Sequence, residues 1–245
     1  MPIVSSDLIF YSSANVPTDD ASTSGGAIDT ASRVELTQWS ANAVAAVVSD
    51  GADTRTVTVT GRLASGIVDT EVLNLNGAVE VAGAKVWERV LSVVASATSG
   101  TRTITLRQGA GGASRATITP NETKRHISFQ NSTSEASTAV RYEKQFAKNT
   151  HGSLALLNAQ VTLTADPAAK IKIGLAGAVN GSTSVANRKA VPGSVTFVDD
   201  NVAQNVPGTN LAAGDAIGTW IEQTLGANDA AQKSTYTLQL AGSTV

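Results

Sequence analysis

The segment Arg55-Thr-Val-Thr-Val-Thr60 alternates valine and threonine with a strict period of two. That period suits a strand with one buried face and fits no helix, in which side chains repeat every 3.6 residues. The pattern continues around it. Ser65-Gly66 turns the chain into a returning run over residues 67–75, and Asn76-Gly77 then stops that run. Asn-Gly readily takes the positive φ values of a tight hairpin turn. Residues 43–48 form an apolar run ending at the turn cluster Ser49-Asp50-Gly51. Val79 and Val81 open a further alternation, followed by residues 86–94 with Trp87, then 101–107, then 116–119 before Pro120. Trp87-Glu-Arg-Val-Leu91 also fits the first turn of a helix. The following Val93-Val94 and Thr98-Ser-Gly100 do not continue one, so a strand is expected.

The second half repeats the style without repeating the sequence. Its strand signals fall at 127–131, at 140–148 around Tyr142, Lys144 and Phe146, and at 153–164, which Asp166-Pro167 ends, whereas the signal at 34–37 opens the first half. Others fall at 170–175, 195–198, 217–225 with Trp220, and 235–240. Strands spaced by roughly 8–12 residues and joined by turn signals indicate a sandwich or barrel. No period of about 20–50 residues marks a solenoid. An all-β fold is expected, with two β-sandwich domains (immunoglobulin-like or jelly-roll-like) over residues 33–122 and 123–245. Residues 1–32 sustain no period and read as an N-terminal arm: a short strand at the apolar cluster Leu8-Ile-Phe-Tyr11, then an extended segment. Adjacent Phe10 and Tyr11 would suit a free tail poorly, so the arm is expected to dock. Leu8, Ile9, Phe10, Tyr11 and Pro17 are its candidate protein-interface residues.

Composition narrows the chemistry. Of 245 residues 42% are hydrophobic, but only 4% are aromatic and 16% charged, against about a quarter charged in an ordinary soluble domain. The absence of cysteine excludes disulfides, thiolate nucleophiles and cysteine-based metal sites. A net charge of −2 provides no field for nucleic acid. The densest basic spot, Lys124-Arg125-His126, reads as a solvated strand end or domain junction, with an anion or RNA contact as the sharper alternative. No stretch approaches the ~18–20 apolar residues of a membrane span. The first residues lack the basic and apolar regions of an export signal, so folding in a cytoplasm is expected.

Catalytic patterns are sparse. His126 and His151 are the only histidines, and neither lies in a motif; His151, in Asn149-Thr-His-Gly-Ser, reads as a turn. Asp19-Asp20 and Asp199-Asp200 are adjacent pairs, which on a strand point to opposite faces and make no acid–base dyad. Calcium at Asp199-Asp200 or at Asp50 and Asp53 is the alternative to turn formation there. Gly109-Ala-Gly-Gly112 lacks the lysine and the following helix of a phosphate loop. Trp39, Trp87 and Trp220 read as core anchors. No catalytic residue, cofactor or metal is expected, and the chain reads as a non-enzyme.

The block from Thr56-Val-Thr-Val-Thr-Gly61 through Glu71-Val-Leu-Asn-Leu-Asn-Gly77 to Trp87-Glu-Arg-Val-Leu-Ser-Val-Val94 resembles a segment of tailed-bacteriophage structural proteins. Arg141-Tyr-Glu-Lys-Gln-Phe-Ala-Lys-Asn149, Val206-Pro-Gly-Thr-Asn-Leu-Ala-Ala-Gly-Asp215, Ile217-Gly-Thr-Trp-Ile221, the early Ser-Ala-Asn-Val-Pro17 and Thr23-Ser-Gly-Gly-Ala-Ile-Asp29 are similar too. The resemblance implies a virion component, most like a capsid decoration (cement) or minor capsid protein on the head surface. It further implies the major capsid protein as partner, self-association as a dimer or trimer, and synthesis in the bacterial host. Rival readings are a tail tube or baseplate subunit, a host-glycan-binding module, and a sandwich hydrolase.

Overall fold

The structure, a computed structural model, describes residues 2–229 and 233–244. Among them the only helical element is a 3-10 turn at Ser5–Asp7. The strands of the first part are β1 (Leu8–Asn15), β2 (Ser24–Asp29), β3 (Ser32–Arg33), β4 (Ala43–Ser49), β5 (Thr56–Leu63) and β6 (Val68–Asn74). Next come β7 (Val81–Ala95), β8 (Ile104–Gln108), β9 (Ser114–Ile118), β10 (Lys124–His126), β11 (Ala139–Asn149) and β12 (Leu157–Ala165). The last are β13 (Ile171–Val179), β14 (Ser184–Val185), β15 (Gln204–Asn205), β16 (Ala216–Leu225) and β17 (Thr237–Ser243). The all-β expectation holds, and Trp87 lies in a strand as its surroundings require.

The strands form two compact units: Met1–Asp29 with Phe129–Val245, and Thr30–Ser128. The second is therefore inserted into the sequence of the first, between β2 and β11. Two expectations change. The break expected at 122/123 falls at Ser128, because Lys124–His126 pair with Ser92–Val94 of β7 and belong to the inserted unit. Residues 1–29 group with the C-terminal part instead of standing apart as an arm.

In the inserted unit the sheet runs β3-β10-β7-β4-β8-β9, with β5 paired to β7 and β6 paired to β5. Strand β7 pairs with β4 along Val81–Trp87 and with β5 along Trp87–Ala95. The sheet thereby curls around Trp39, Val57, Val59, Trp87, Val93 and Leu106. Gly61 permits the curl. A Cβ there would lie 2.5 Å from the Arg89 carbonyl and 2.7 Å from the Trp87 ring, and the β5–β7 register shifts on either side of it.

In the other unit a six-stranded sheet, β13-β16-β11-β1-β2-β14, and a three-stranded sheet, β15-β12-β17, share one core. Val161 and Leu163 of β12 and Leu240 of β17 join Ile173, Ile217 and Ile221 of the larger sheet in it. That is a two-layer sandwich. Strands β11 and β16 pair without a shift from Ala139↔Leu225 to Lys148↔Ala216.

Three expected strands do not form as ladders. Residues 127–131 turn instead, with Phe129 and Asn131 at φ 52° and 53°, a left-handed conformation that no strand uses. Residues 195–198 contribute one isolated bridge, Ile173↔Val198. Residues 34–37 are irregular, although Leu36 packs on the inserted unit's core.

Candidate functional site

The residues expected to dock on another protein are already docked within the chain. Leu8, Ile9, Phe10 and Tyr11 lie on β1 opposite Asn149, Lys148, Ala147 and Phe146 of β11. The other edge of β1 pairs with β2. Leu8 and Phe10 pack on the sandwich core, Ile9 and Tyr11 are half-buried and alternate with them, and Pro17 is buried. With both backbone edges of β1 occupied by β11 and β2 of its own chain, the expectation of an arm that docks on another protein is corrected.

The turn after β1 enters the densest charge cluster of the unit. Asp19 accepts the Ala21 and Ser22 backbone N–H groups at 2.9 and 2.8 Å, a turn-forming role. Asp20 enters between two guanidinium groups. Arg141 donates to it through Nε and Nη2 at 2.7 and 2.8 Å, and Arg188 through Nη2 and Nε at 2.6 and 3.0 Å. Glu135 accepts from Arg141 Nη2 at 2.9 Å and from Lys189 Nζ at 2.6 Å. Arg188 Nη1 donates to the Gln130 carbonyl at 2.8 Å and lies 3.6 Å from Glu143. Glu143 in turn accepts the Phe129 N–H at 2.9 Å.

Arg141 and Arg188 side chains are each 1% exposed. Removing such charges from water costs several kcal/mol per ion unless partners compensate. Asp20, Glu135 and Glu143 compensate Arg141, Arg188 and Lys189 one for one. Hydrogen bonding from Arg141, reinforced by Arg188, holds the Asp20 carboxyl far below the usual carboxylate range. A carboxylate so firmly ionised is a poor proton donor or acceptor at neutral pH. The cluster ties residues 19–22, 129–135 and 187–189 to β11.

Beside it, Lys144 on β11 is buried. Its ammonium donates to the carbonyls of Gly181, Gly26 and Thr183 at 2.8, 3.2 and 3.2 Å. It also lies 4.6 Å from the Phe146 ring centre and 5.6 Å from that of Trp220. Burial pulls the amine down to about 8. Room for it comes from Gly218, where a Cβ would collide with Lys144 Cε. Its three N–H donors meet three carbonyls, so Lys144 fastens β2 and the segment before β14 to β11.

The other residues singled out in the sequence lie apart. His126 is 1% exposed in the inserted unit, with Nδ1 2.9 Å from the Ile127 carbonyl. Burial, with Lys124 and Arg125 nearby, pushes its imidazole down to about 4. Arg125, equally buried, is bonded to Glu122, so the basic spot is an interior strand and not a solvated one. His151 Nδ1 accepts the Ser153 and Leu154 N–H groups at 3.1 and 2.9 Å, as its turn position suggested. Asp53 is paired with Arg55, Asp50 with Arg102, and Asp199 with Lys172. Among the described residues no group of three or more His, Asp or Glu side chains is placed to hold a metal ion. No helix among them is long and apolar enough to cross a membrane.

The pairing of Arg141 and Arg188 escaped the sequence reading because they lie 121 and 168 residues from their shared partner Asp20. A second feature it missed is an exposed apolar surface. Ile67, Val68, Val72, Val79 and Val86 are all exposed and lie on or beside the β5–β6 hairpin and the start of β7. An alternating valine pattern signals a buried face, and nothing local distinguishes the outward valines of an edge strand. No protein-family model, curated protein or solved structure matches this chain.

Proposed function

We propose that this chain is a non-enzymatic structural component of a tailed-bacteriophage virion that binds and stabilises the capsid lattice as a decoration or minor capsid protein. Its partners in this reading are the major capsid protein and further copies of itself, and its place is the outer surface of the head. The virion setting rests on the sequence resemblance of the 56–94 block and of the second-half segments. One structural observation carries the passive role. Asp20, Arg141, Arg188, Lys144 and His126, the groups whose chemistry a catalytic site would use, each hold backbone or an opposite charge of their own unit. Among the described residues, five of the eight exposed large hydrophobic side chains, Ile67, Val68, Val72, Val79 and Val86, lie on or beside the β5–β6 hairpin. Such a surface suits burial against protein, at ~25 cal/mol per Å² of apolar area, partly offset by the cost of ordering at each contact.

The test adds purified protein to mature heads lacking it and images the particles. Density at regular positions on the head surface supports the proposal. Binding confined to tails, or no binding, overturns it.

A further inference from the structure

The chain contains two Asn-Gly sequences, Asn76-Gly77 and Asn180-Gly181. Glycine has no Cβ, so its main-chain nitrogen approaches the side-chain carbonyl of a preceding asparagine with the least hindrance. Asparagine before glycine is therefore the arrangement most open to attack from within the chain. The two copies are alike in sequence and in solvent access. Both asparagines are exposed, and a main-chain carbonyl holds each glycine N–H: Asp53 for Gly77 at 2.8 Å, Ala178 for Gly181 at 3.3 Å. The fold treats their side chains oppositely.

Asn180 follows β13 with a φ of 57° and is fixed at three points. Its N–H donates to the Ala216 carbonyl at 2.7 Å. Its Oδ1 accepts the Ala216 N–H at 2.9 Å, and its Nδ2 donates to Asp215 Oδ1 at 2.8 Å. Ala216 opens β16 and is buried. Turning the Asn180 carboxamide toward the Gly181 nitrogen breaks both side-chain bonds and leaves the Ala216 N–H without its acceptor, which is costly. Asn76 lies in the turn between β6 and β7, where its carbonyl accepts the Val79 N–H at 3.0 Å. That bond uses the main chain alone. Among the described residues none hydrogen-bonds to the Asn76 carboxamide. The space at Gly77 is also open: a Cβ there would meet nothing nearer than Ala52 Cα at 3.9 Å, whereas one at Gly181 would meet the Ala178 carbonyl oxygen at 3.0 Å.

We propose that Asn76 is a site of spontaneous deamidation and isoaspartate formation, and that Asp215 and Ala216 protect Asn180 from the same reaction. The Gly77 nitrogen attacks Asn76 Cγ and gives up its proton to solvent as the N–Cγ bond forms. The Cγ–Nδ2 bond then breaks, and the amide nitrogen takes a proton from solvent and leaves as ammonia. Water adds to one of the two carbonyls of the resulting five-membered imide and reopens it as aspartate or isoaspartate. Water is the only co-reactant. Ring closure first requires the Gly77 N–H to leave the Asp53 carbonyl, a local opening of the turn. A matching bond must break at Gly181, so this cost does not separate the two sites. The two side-chain bonds of Asn180 do. Isoaspartate at position 76 adds a methylene to the main chain between β6 and β7, and either product adds a carboxylate there. The inference is independent of the virion reading.

The test ages the full chain in warm neutral buffer and follows each asparagine by peptide mapping with mass spectrometry. In the folded chain Asn76 is expected to convert about tenfold or more faster than Asn180, the factor that two hydrogen bonds supply. In guanidinium chloride both side chains are released, and the two rates are expected to agree within about threefold. Asn76→Gln, which would have to close a larger ring, is expected to remove the fast conversion. Asp215→Ala, with its fold checked by circular dichroism, is expected to speed Asn180 by about threefold or more. The wild-type comparison decides without any variant. Equal rates in the folded chain, earlier conversion of Asn180, or no conversion of Asn76 overturns the proposal. So does an Asn180 rate indifferent to Asp215→Ala in a folded variant.

Discussion

His126 shows most directly what burial does to a titratable side chain in this protein. Its imidazole is 1% exposed and titrates at about 4 in the folded chain, against 6.5 as the ordinary value. Between those values the unfolded chain binds a proton that the folded chain refuses. Folding is therefore favoured above pH 6.5, and this contribution disappears as pH falls through 4. A displacement of that size is worth about 3 kcal/mol. In urea denaturation at a series of pH values, wild type should lose about that much more stability than His126→Asn between pH 7 and 4. Carboxylates titrate in both proteins and cancel in the difference, so parallel curves would show the histidine to be solvated. Asp20 titrates far below this window because Arg141 and Arg188 hold it ionised. Neither environment was legible from the sequence. Lys124-Arg125-His126 looks like a solvated basic spot until β10 is placed against β7.

At the scale of elements, the legible strands were those whose burial follows their own alternation. Strand β5 places Val57 and Val59 inside and Thr56, Thr58 and Thr60 on the half-buried face, as the sequence pattern requires. The place of strand β1 inside the sandwich was illegible because its most deeply buried residues are Ser12 and Ser13. Serines followed by a proline and an aspartate pair look like a linker. Their burial makes sense only beside strands far along the chain, as with Ser24 of β2, which donates to the Tyr142 carbonyl at 2.8 Å. The same locality explains the expected strands that do not form. Phe129 and Asn131 turn where the Glu143 carboxylate and Arg188 hold the backbone. The physical consequence for β1 differs sharply from that for a docked arm. Deleting residues 2–29 removes β1 and β2 from between β11 and β14, and strips Asp20 from two buried guanidinium groups. The truncated chain should lose the ordered near-ultraviolet signal of Tyr142 and Trp220. Retention of that signal would restore the arm as a detachable segment.

For the molecule as a whole, the decisive feature is that Thr30–Ser128 interrupts a sandwich whose strands lie on both sides of it in sequence. Pairing β1 with β11 joins residues 8–12 to 145–149, a long loop closure whose entropic cost grows only slowly with length. The inserted unit closes on itself. Its entry and exit strands, β3 and β10, pair with each other in parallel, and the Ala31 carbonyl accepts the Thr123 and Lys124 N–H groups at 2.8 and 3.1 Å. Its core, from Trp39 to Ile118, draws on no residue outside the unit. A segment with its own core and its termini fastened together meets the physical requirements of an autonomous domain. Residues 30–128 expressed alone should therefore unfold in one cooperative thermal transition and keep the blue-shifted emission of buried Trp39 and Trp87. A fragment with the emission of solvent-exposed tryptophan would mean that the insertion folds only within its host. Cooperative folding would instead explain why a sequence order of sandwich, insertion, sandwich reads locally as two consecutive halves: each half carries complete strand signals, and only the pairing of β1 with β11 reveals that the first half is divided.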